Sequence, residues 1–242
     1  MKNVLLPIRD IRRLSFYLAM EEFVAERIDG EAFFIWQSEP TVIIGRNQDL
    51  EAEVNLEYCR DHDVRVVRRK SGGGCVYSDD GNIMISYISQ RGDVSEVFDR
   101  YLSALTQCLS EMGLEACRSE RNDVLVGGFK VSGNAFHQLP DRSIVHGTLL
   151  FSSDFNSLEK AIRPPVEKLN RHGIRSVRQR VANLSDSLSP QWTKDKVVSF
   201  ITDFFCDSQI MLTEDDVKVI SQMEKQFEPH NYGRESFEDM SV

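Results

Sequence analysis

The 242-residue chain lacks several features that would settle its chemistry at once. It contains no run of eighteen apolar residues, which excludes a transmembrane helix. Its five cysteines (Cys59, Cys75, Cys108, Cys117 and Cys206) are odd in number, scattered and free of any CxxC spacing. That argues for a reducing compartment and against a disulfide framework or a zinc site. The five histidines form no HExxH or other metal-ligand spacing. Positive charge is in deficit: the net charge of −9 argues against general nucleic-acid binding. The N-terminal MKNVLLPIRDIRRL has only a very short apolar stretch, broken by Arg9 and Asp10, and does not read as a secretory signal, so a cytoplasmic location is expected. There is no internal repeat and no low-complexity linker, and the length suits one large domain or one domain with a small appendage.

What is present is a mixed pattern of strands and helices. Strands are expected at 3–8, 32–36, 41–44 and 64–68, and an amphipathic buried helix at 14–28, with Leu14, Leu18, Phe23 and Ile28 among its apolar positions. Residues 55–62 read as helical. CVY (75–77) and NIMISYI (82–88) read as two arms of a hairpin turned by Asp79, Asp80 and Gly81. The clearest helix is 94–112, with Val97, Phe98, Tyr101, Leu102, Leu105, Cys108, Leu109 and Met112 on one stripe, Asp93 as its cap and Gly113 as its end. Strands follow near 115–119, 123–126 and 143–151, the turn Gly127-Gly128 leading into FKVSGNAF. Helices are expected at 155–162, 194–206 and 214–226. Strands in runs with interspersed helices favour an α+β or mixed sheet over a doubly wound fold.

The stretch RRKSGGGCVYSDDGN (68–82) asks for a chemical reading. It is not a Walker loop, because Cys75-Val76 follows the last glycine in place of Lys-Ser or Lys-Thr. It is not GxGxxG, because Tyr77 occupies the third glycine position. Three residues without Cβ still let a ligand lie against the backbone, and exposed N–H groups can bind an anion. Arg68 or Arg69 could add charge-assisted bonds to a phosphate. The bland alternative is a flexible link between strands. Lys130 in KVSGNA could grip a carboxylate or phosphate or face solvent. Asp123 in RND could hold magnesium or cap a turn. His146 in HGTLLF could be a satisfied core histidine. Basic residues cluster in RVVRRK (65–70) and at Arg163, Lys168, Arg171, Arg175, Arg178 and Arg180. They form either solvated faces or a local site for an anion.

In this order, the blocks LAMEE (18–22), TVIIGRNQ (41–48), RRKSGGGCVYSDDGN (68–82), RND (121–123), KVSGNA (130–135), HGTLLF (146–151) and SVRQRVANL (176–184) resemble the lipoate–protein ligase A family over nearly all of residues 1–190. The resemblance implies an α+β fold: a mixed or antiparallel sheet core flanked by helices, shared with biotin–protein ligases and akin to class II aminoacyl-tRNA synthetases. It implies ATP-dependent conversion of lipoate to lipoyl-AMP, then transfer of the lipoyl group to a lysine of a carrier domain. ATP and Mg²⁺ are expected, with (R)-lipoate as substrate. On this resemblance Lys130 is the catalytic lysine, holding the lipoate carboxylate and the α-phosphate and stabilising the charge that develops there. Arg69, Ser71, Gly72, Gly73 and Gly74 match the loop along the lipoyl-adenylate, and Val76 and Tyr77 match positions near adenine. Asn82 and Asp123 match positions near the phosphate and its metal. Ser132, Gly133, His146 and Thr148 belong to the same adenylate site. Leu18, Met20, Trp36 and Ile44 match the wall of an apolar tunnel for the lipoyl tail. Residues 171–180 match a segment that closes over the adenylate and could greet an acidic carrier.

The expected division is a catalytic core over 1–190 and a helical extension with a polar tail over 191–242, Asn231-Tyr232-Gly233 resembling the family's join to an accessory domain that is expected to be absent. Expected partners are lipoyl carrier domains, namely the E2 subunit of 2-oxoacid dehydrogenases and the glycine-cleavage H protein, together with a separate accessory protein, and neither nucleic acid nor membrane. The alternatives are a transferase using ready-made lipoyl-AMP, the large subunit of a split ligase, and a cysteine-dependent octanoyl or lipoyl amidotransferase. The last would need its nucleophile near Arg121-Asn122-Asp123, where no cysteine stands. Cys75 then reads as a small hydrophobe beside the ligand or core. A binding protein without turnover is disfavoured by Lys130 together with the full loop, and biotin ligation by the lack of a GRGRxGR-type loop.

Overall fold

Near-continuous burial along the central strands gives a sheet with two buried faces, and each face recruits its own helices. The computed structural model describes residues 1–8, 10–163 and 177–227. Its strands are β1 (Lys2–Leu5), β2 (Ala32–Trp36), β3 (Thr41–Ile44), β4 (Arg65–Arg68), β5 (Val76–Ser78), β6 (Asn82–Gln90), β7 (Ala116–Arg118), β8 (Asp123–Val126), β9 (Phe129–Gln138), β10 (Arg142–Leu150) and β11 (Ser208–Met211). Eight form a large sheet in the order β11-β1-β2-β6-β10-β9-β8-β7, and β4-β3-β5 form a small one. The central pairings from β2 to β7 are antiparallel, whereas β1 runs parallel to both β2 and β11. This is the expected mixed α+β architecture.

One face of the large sheet is covered by α4 (Val94–Glu111) and α6 (Lys194–Phe205). Their Val97, Tyr101, Leu105, Val197 and Ile201 join Phe33, Ile83, Ile85, Val145 and Leu149 in one core. Asp93 caps α4 by accepting the Ser95 N–H at 2.8 Å, and Gly113 ends it with φ +91°. On the opposite face α1 (Leu14–Arg27) packs with Phe34, Trp36, Met84 and Ile144, and α7 (Glu214–Glu224) adds Ile220. The sequence predicts α1 as amphipathic, but every residue from Leu14 to Ala25 is buried. The small sheet covers one flank and the C-terminal elements another, so the helix has no solvent face and its Glu21 and Glu22 are enclosed. A third core, built from Val42, Ile44, Val66 and Tyr77 with α3 (Leu56–Asp61) and α5 (Phe155–Ala161), backs the small sheet.

The hairpin expected from CVY and NIMISYI is absent. β5 pairs with β3 in the small sheet, and β6 pairs with β2 and β10 in the large one. The intervening turn instead joins the sheets: Asp79 Oδ1 accepts the Gly81 N–H at 2.9 Å, and Gly81 O accepts the N–H groups of Phe151 and Ser152. The first strand ends at Leu5 instead of residue 8. A short helix α2 (Leu50–Glu53) and the edge strand β11 were not expected from pattern, being too brief to show a period. Because β11 pairs with β1 and α7 packs on α1, residues 194–224 are continuous with the rest of the fold.

Candidate functional site

A cavity of about 330 Å³ lies between the two sheets, with α1 and α5 contributing to its walls. Its floor follows from strand register, since directly opposed residues share a face. Trp36 on β2 faces Met84 on β6, Met84 faces Thr148 on β10, Thr148 faces Gly133 on β9, and Gly133 faces Asp123 on β8. All five border the cavity. Two apolar groups extend from this row. Leu14, Leu18, Ile43 and Met84 continue the core beneath α1, and Tyr77, Leu150, Leu158 and Ile162 continue the core behind the small sheet. Polar groups of Arg69, Lys130, Asp123, Asn134, His146 and Thr148 are also among the lining.

Lys130 owes its place to a bulge. The β8–β9 register slips between Val124 and Leu125, so Lys130 pairs with Leu125, Ser132 pairs with Val124, and Val131 is the extra residue. In a regular strand, residues three apart face opposite ways. Here Lys130 arches over Gly133, where an added Cβ would overlap its Nζ and lie 2.6 Å from its Cε. Its ammonium sits 2.8 Å from Asp123 Oδ1, and Arg180 holds Asp123 Oδ2. Asp123 is buried, at 5% side-chain exposure, and both its carboxylate oxygens carry cationic partners. Val181 pairs alongside Lys130, and the Ala182 N–H donates to Lys130 O at 3.0 Å.

Arg69 is placed differently from a free phosphate clamp. Its guanidinium borders the cavity but donates to the backbone: to Gly72 O at 2.8 and 3.1 Å, Gly74 O at 2.8 Å and Ile43 O at 3.3 Å. Burial lowers its pKa to about 10, still a cation at neutral pH. It staples the glycine turn to β3. Gly73 has φ +98°, which explains a glycine there, and Gly45 packs so closely on Gly73 O that no Cβ fits. Gly73, Gly74, Val76 and Tyr77 border the cavity, whereas Gly72 contributes its carbonyl to Arg69.

Ser71, Asn82 and Ser132 are buried and do not border the cavity. Ser71 Oγ lies 2.7 Å from His146 Nε2, Asn82 donates to Tyr77 O at 3.3 Å, and Ser132 exchanges contacts with Asn134. Of the four expected tunnel residues, Leu18 and Trp36 border the cavity. Met20 faces the core beneath α1, two helix positions from Leu18, and Ile44 faces the third core. The cavity takes Ile43 in its place, because successive strand residues point to opposite faces. Sequence reasoning missed Ile43, Met84 and Asn134, and it had Arg180 only within a basic cluster. The apolar run Val42-Ile43-Ile44 shows no alternation from which to choose a face. Residues 164–176, and with them most of the basic segment 171–180, lie outside the described residues, as do the tail and Asn231-Tyr232-Gly233.

Among the described residues no group of three or more His, Cys, Asp or Glu side chains is placed to hold a metal ion. Among the described residues Asp123 therefore belongs to no such group. Cys75 borders the cavity, but the exposed Cys117 lies on β7 outside it. Both ring nitrogens of His146 are taken, by Ser71 and Glu21, so His146 is not arranged as a base for Cys75.

A family model for the lipoyl protein ligase A/B catalytic domain matches residues 14–206. The chain is 35% identical over 230 residues to lipoate-protein ligase LplJ of Bacillus subtilis, covering 90% of this chain and 70% of that protein. It is 39% identical over 175 residues to lipoate–protein ligase 1 of Staphylococcus aureus, covering 71% of this chain and 53% of that one. The chain thus spans only part of the length of these curated relatives. In structure it resembles a bi-partite lipoate protein ligase from Thermoplasma acidophilum, described with its E2 lipoyl domain. The TM-score is 0.82 and the identity 25%, over 98% of this chain and 99% of that one.

Proposed function

The chain belongs to the lipoyl protein ligase A/B catalytic-domain family, and on that premise we propose that it activates lipoate with ATP and passes the lipoyl group to a lysine of a lipoyl carrier domain. The carrying observation is the position of Lys130: a cation placed over Gly133, in a cavity whose two apolar compartments suit an acyl tail and a purine. In the first step a lipoate carboxylate oxygen attacks the α-phosphorus of ATP, and the bond to pyrophosphate breaks. In the second, the carrier lysine's amine attacks the acyl carbon, AMP leaves with the bonding pair, and the amine loses a proton. Both steps move negative charge between oxygens. The Lys130 ammonium, 2.8 Å from Asp123 Oδ1, is a multi-donor cation at the point where the carboxylate and α-phosphate would meet.

The apolar compartment bounded by Leu14, Leu18, Trp36, Ile43 and Met84 suits the acyl tail, and Tyr77, Leu150, Leu158 and Ile162 suit adenine. The backbone of Gly73 and Gly74 borders the space between them. Magnesium, which keeps water ligands and substrate phosphates, would enter with ATP and add Asp123 at most. The acyl acceptor is a lysine on the E2 subunit of a 2-oxoacid dehydrogenase or on the glycine-cleavage H protein, and catalysis takes place in the cytoplasm. Residues 1–190 act as the catalytic core, with 191–242 as its extension. A second reading, in which adenylation needs a separate accessory chain, is favoured by the match along 99% of one chain of the archaeal bi-partite ligase.

The test is to mix the protein with lipoate, ATP, magnesium and a lipoyl carrier domain and to measure the carrier's mass. Addition of one lipoyl group supports the complete ligase. Addition only from supplied lipoyl-AMP supports the bi-partite reading, and no addition from either source refutes both.

A further inference from the structure

Beneath the cavity runs a line of hydrogen bonds that the proposed reaction does not use. Trp36 Nε1 donates to Ser86 Oγ at 2.9 Å, and Ser86 Oγ donates to Glu21 Oε1 at 2.6 Å. On the other side His146 Nδ1 lies 2.8 Å from Glu21 Oε2, and Ser71 Oγ lies 2.7 Å from His146 Nε2. All five residues are buried, with Glu21 at 3% exposure. A buried carboxylate persists only with donors on its oxygens, and each oxygen here has one.

Donor identities fix the direction of the line. A carboxylate only accepts, and an indole N–H only donates, so the Ser86 hydroxyl hydrogen points to Glu21. Likewise His146 carries hydrogen on Nδ1, toward Glu21, and a neutral ring then accepts the Ser71 hydroxyl at Nε2. Both branches therefore run into one carboxylate. One comes from Trp36, a wall of the acyl compartment, and the other from the serine that begins the glycine turn. The same turn is held at a second point, where Glu22 pairs with Lys70 at 2.8 Å. The adjacent glutamates of α1 thus hold adjacent residues of the loop, Lys70 and Ser71. Ser71, His146 and Glu21 line up as a nucleophile, base and acid would, but Ser71 is 2% exposed and off the cavity, so it is not presented to an acyl group.

We infer that Glu21 is a positioning residue. By holding His146 as its Nδ1–H tautomer it sets Ser71, and with it the backbone of Gly72, Gly73 and Gly74, before the nucleotide arrives. Through Ser86 it sets the face of Trp36. The function assigned to this placement rests on the ligase reading, whereas the tautomer does not.

The first test is ¹⁵N NMR of histidine-labelled full-length protein. His146 is expected to carry hydrogen on Nδ1 with an acceptor Nε2; hydrogen on Nε2 alone overturns the inference. The second is calorimetric binding of ATP to wild type, Glu21→Gln, Ser71→Ala and the double variant. Each single change is expected to weaken binding about tenfold, and the double no more than either single, because both act through His146. Additive losses, or no loss in Glu21→Gln, overturn it. Melting temperatures identify a variant that is misfolded, and in that case Ser71→Ala with the wild-type tautomer decides: unchanged ATP affinity overturns the inference. A wild type that binds no ATP and transfers no lipoyl group refutes the ligase reading and leaves the tautomer result standing.

Discussion

Replacing Gly133 by alanine tests the placement of Lys130 more selectively than removing the lysine. The new Cβ would lie 2.6 Å from Lys130 Cε and closer to Nζ. Carbon atoms settle at about 3.5–4.0 Å, so the end of the lysine must retreat by roughly 1 Å. The obstacle is the far end of a flexible side chain, so the fold should survive with little change in melting temperature. Catalysis should not survive so well. A misplacement of about 1 Å can cost about 10²-fold, or ~2.7 kcal/mol of transition-state stabilisation. The assay is single-turnover transfer from lipoyl-AMP to a carrier domain, for Gly133→Ala, Lys130→Ala and the double variant. Gly133→Ala should be about 100-fold slow, and in the Lys130→Ala background the glycine change should cost nothing further. A wild-type rate in Gly133→Ala, or a full additional loss in the double variant, would refute the reasoning.

Arg69→Lys removes a planar fork that spans three carbonyls, which a point ammonium cannot reproduce; urea denaturation should show a loss of about 2–3 kcal/mol. Leu105→Ala at a fully buried position of α4 should lower stability by about 2–5 kcal/mol in the same assay, with the carrier-modification rate unchanged under folding conditions. Burial raises the Glu22 carboxyl pKa, but His137 and Lys70 outweigh it and the net direction is down. With the folded value below the unfolded one (about 4.3), the stabilisation is complete above that pH and lost as pH falls through the folded value. Wild-type and Glu22→Gln melting temperatures, measured from pH 3 to 7 in steps, should differ at neutral pH and converge in acid; a constant difference would count against the pairing.

Much of the fold was legible in the chain. The stripe of α4, its Asp93 cap and Gly113 stop are local features, and local sterics and hydrogen bonding produce them wherever they occur. The reading of α1 as amphipathic missed because burial of its second face depends on elements distant in sequence, including Phe227 and Ile220. The hairpin reading of residues 75–88 missed for a related reason. The turn is real, but β3 and β10 compete for its two arms and place them in different sheets.

By itself the sequence determined the family, the order of the longer strands and helices, and the inventory of groups at hand: one lysine in KVSGNA, three successive glycines, and a histidine and threonine on one strand. Those are encoded in residue identity and short spacing. Only tertiary structure decided which of them face the cavity. Strand parity chose Ile43 over Ile44, and a one-residue bulge turned Lys130 over Gly133. Backbone carbonyls drew Arg69 into the loop, and Arg180 joined Lys130 on Asp123 across 57 residues. Each outcome depends on register and pairing between segments far apart in the chain, which no local pattern specifies.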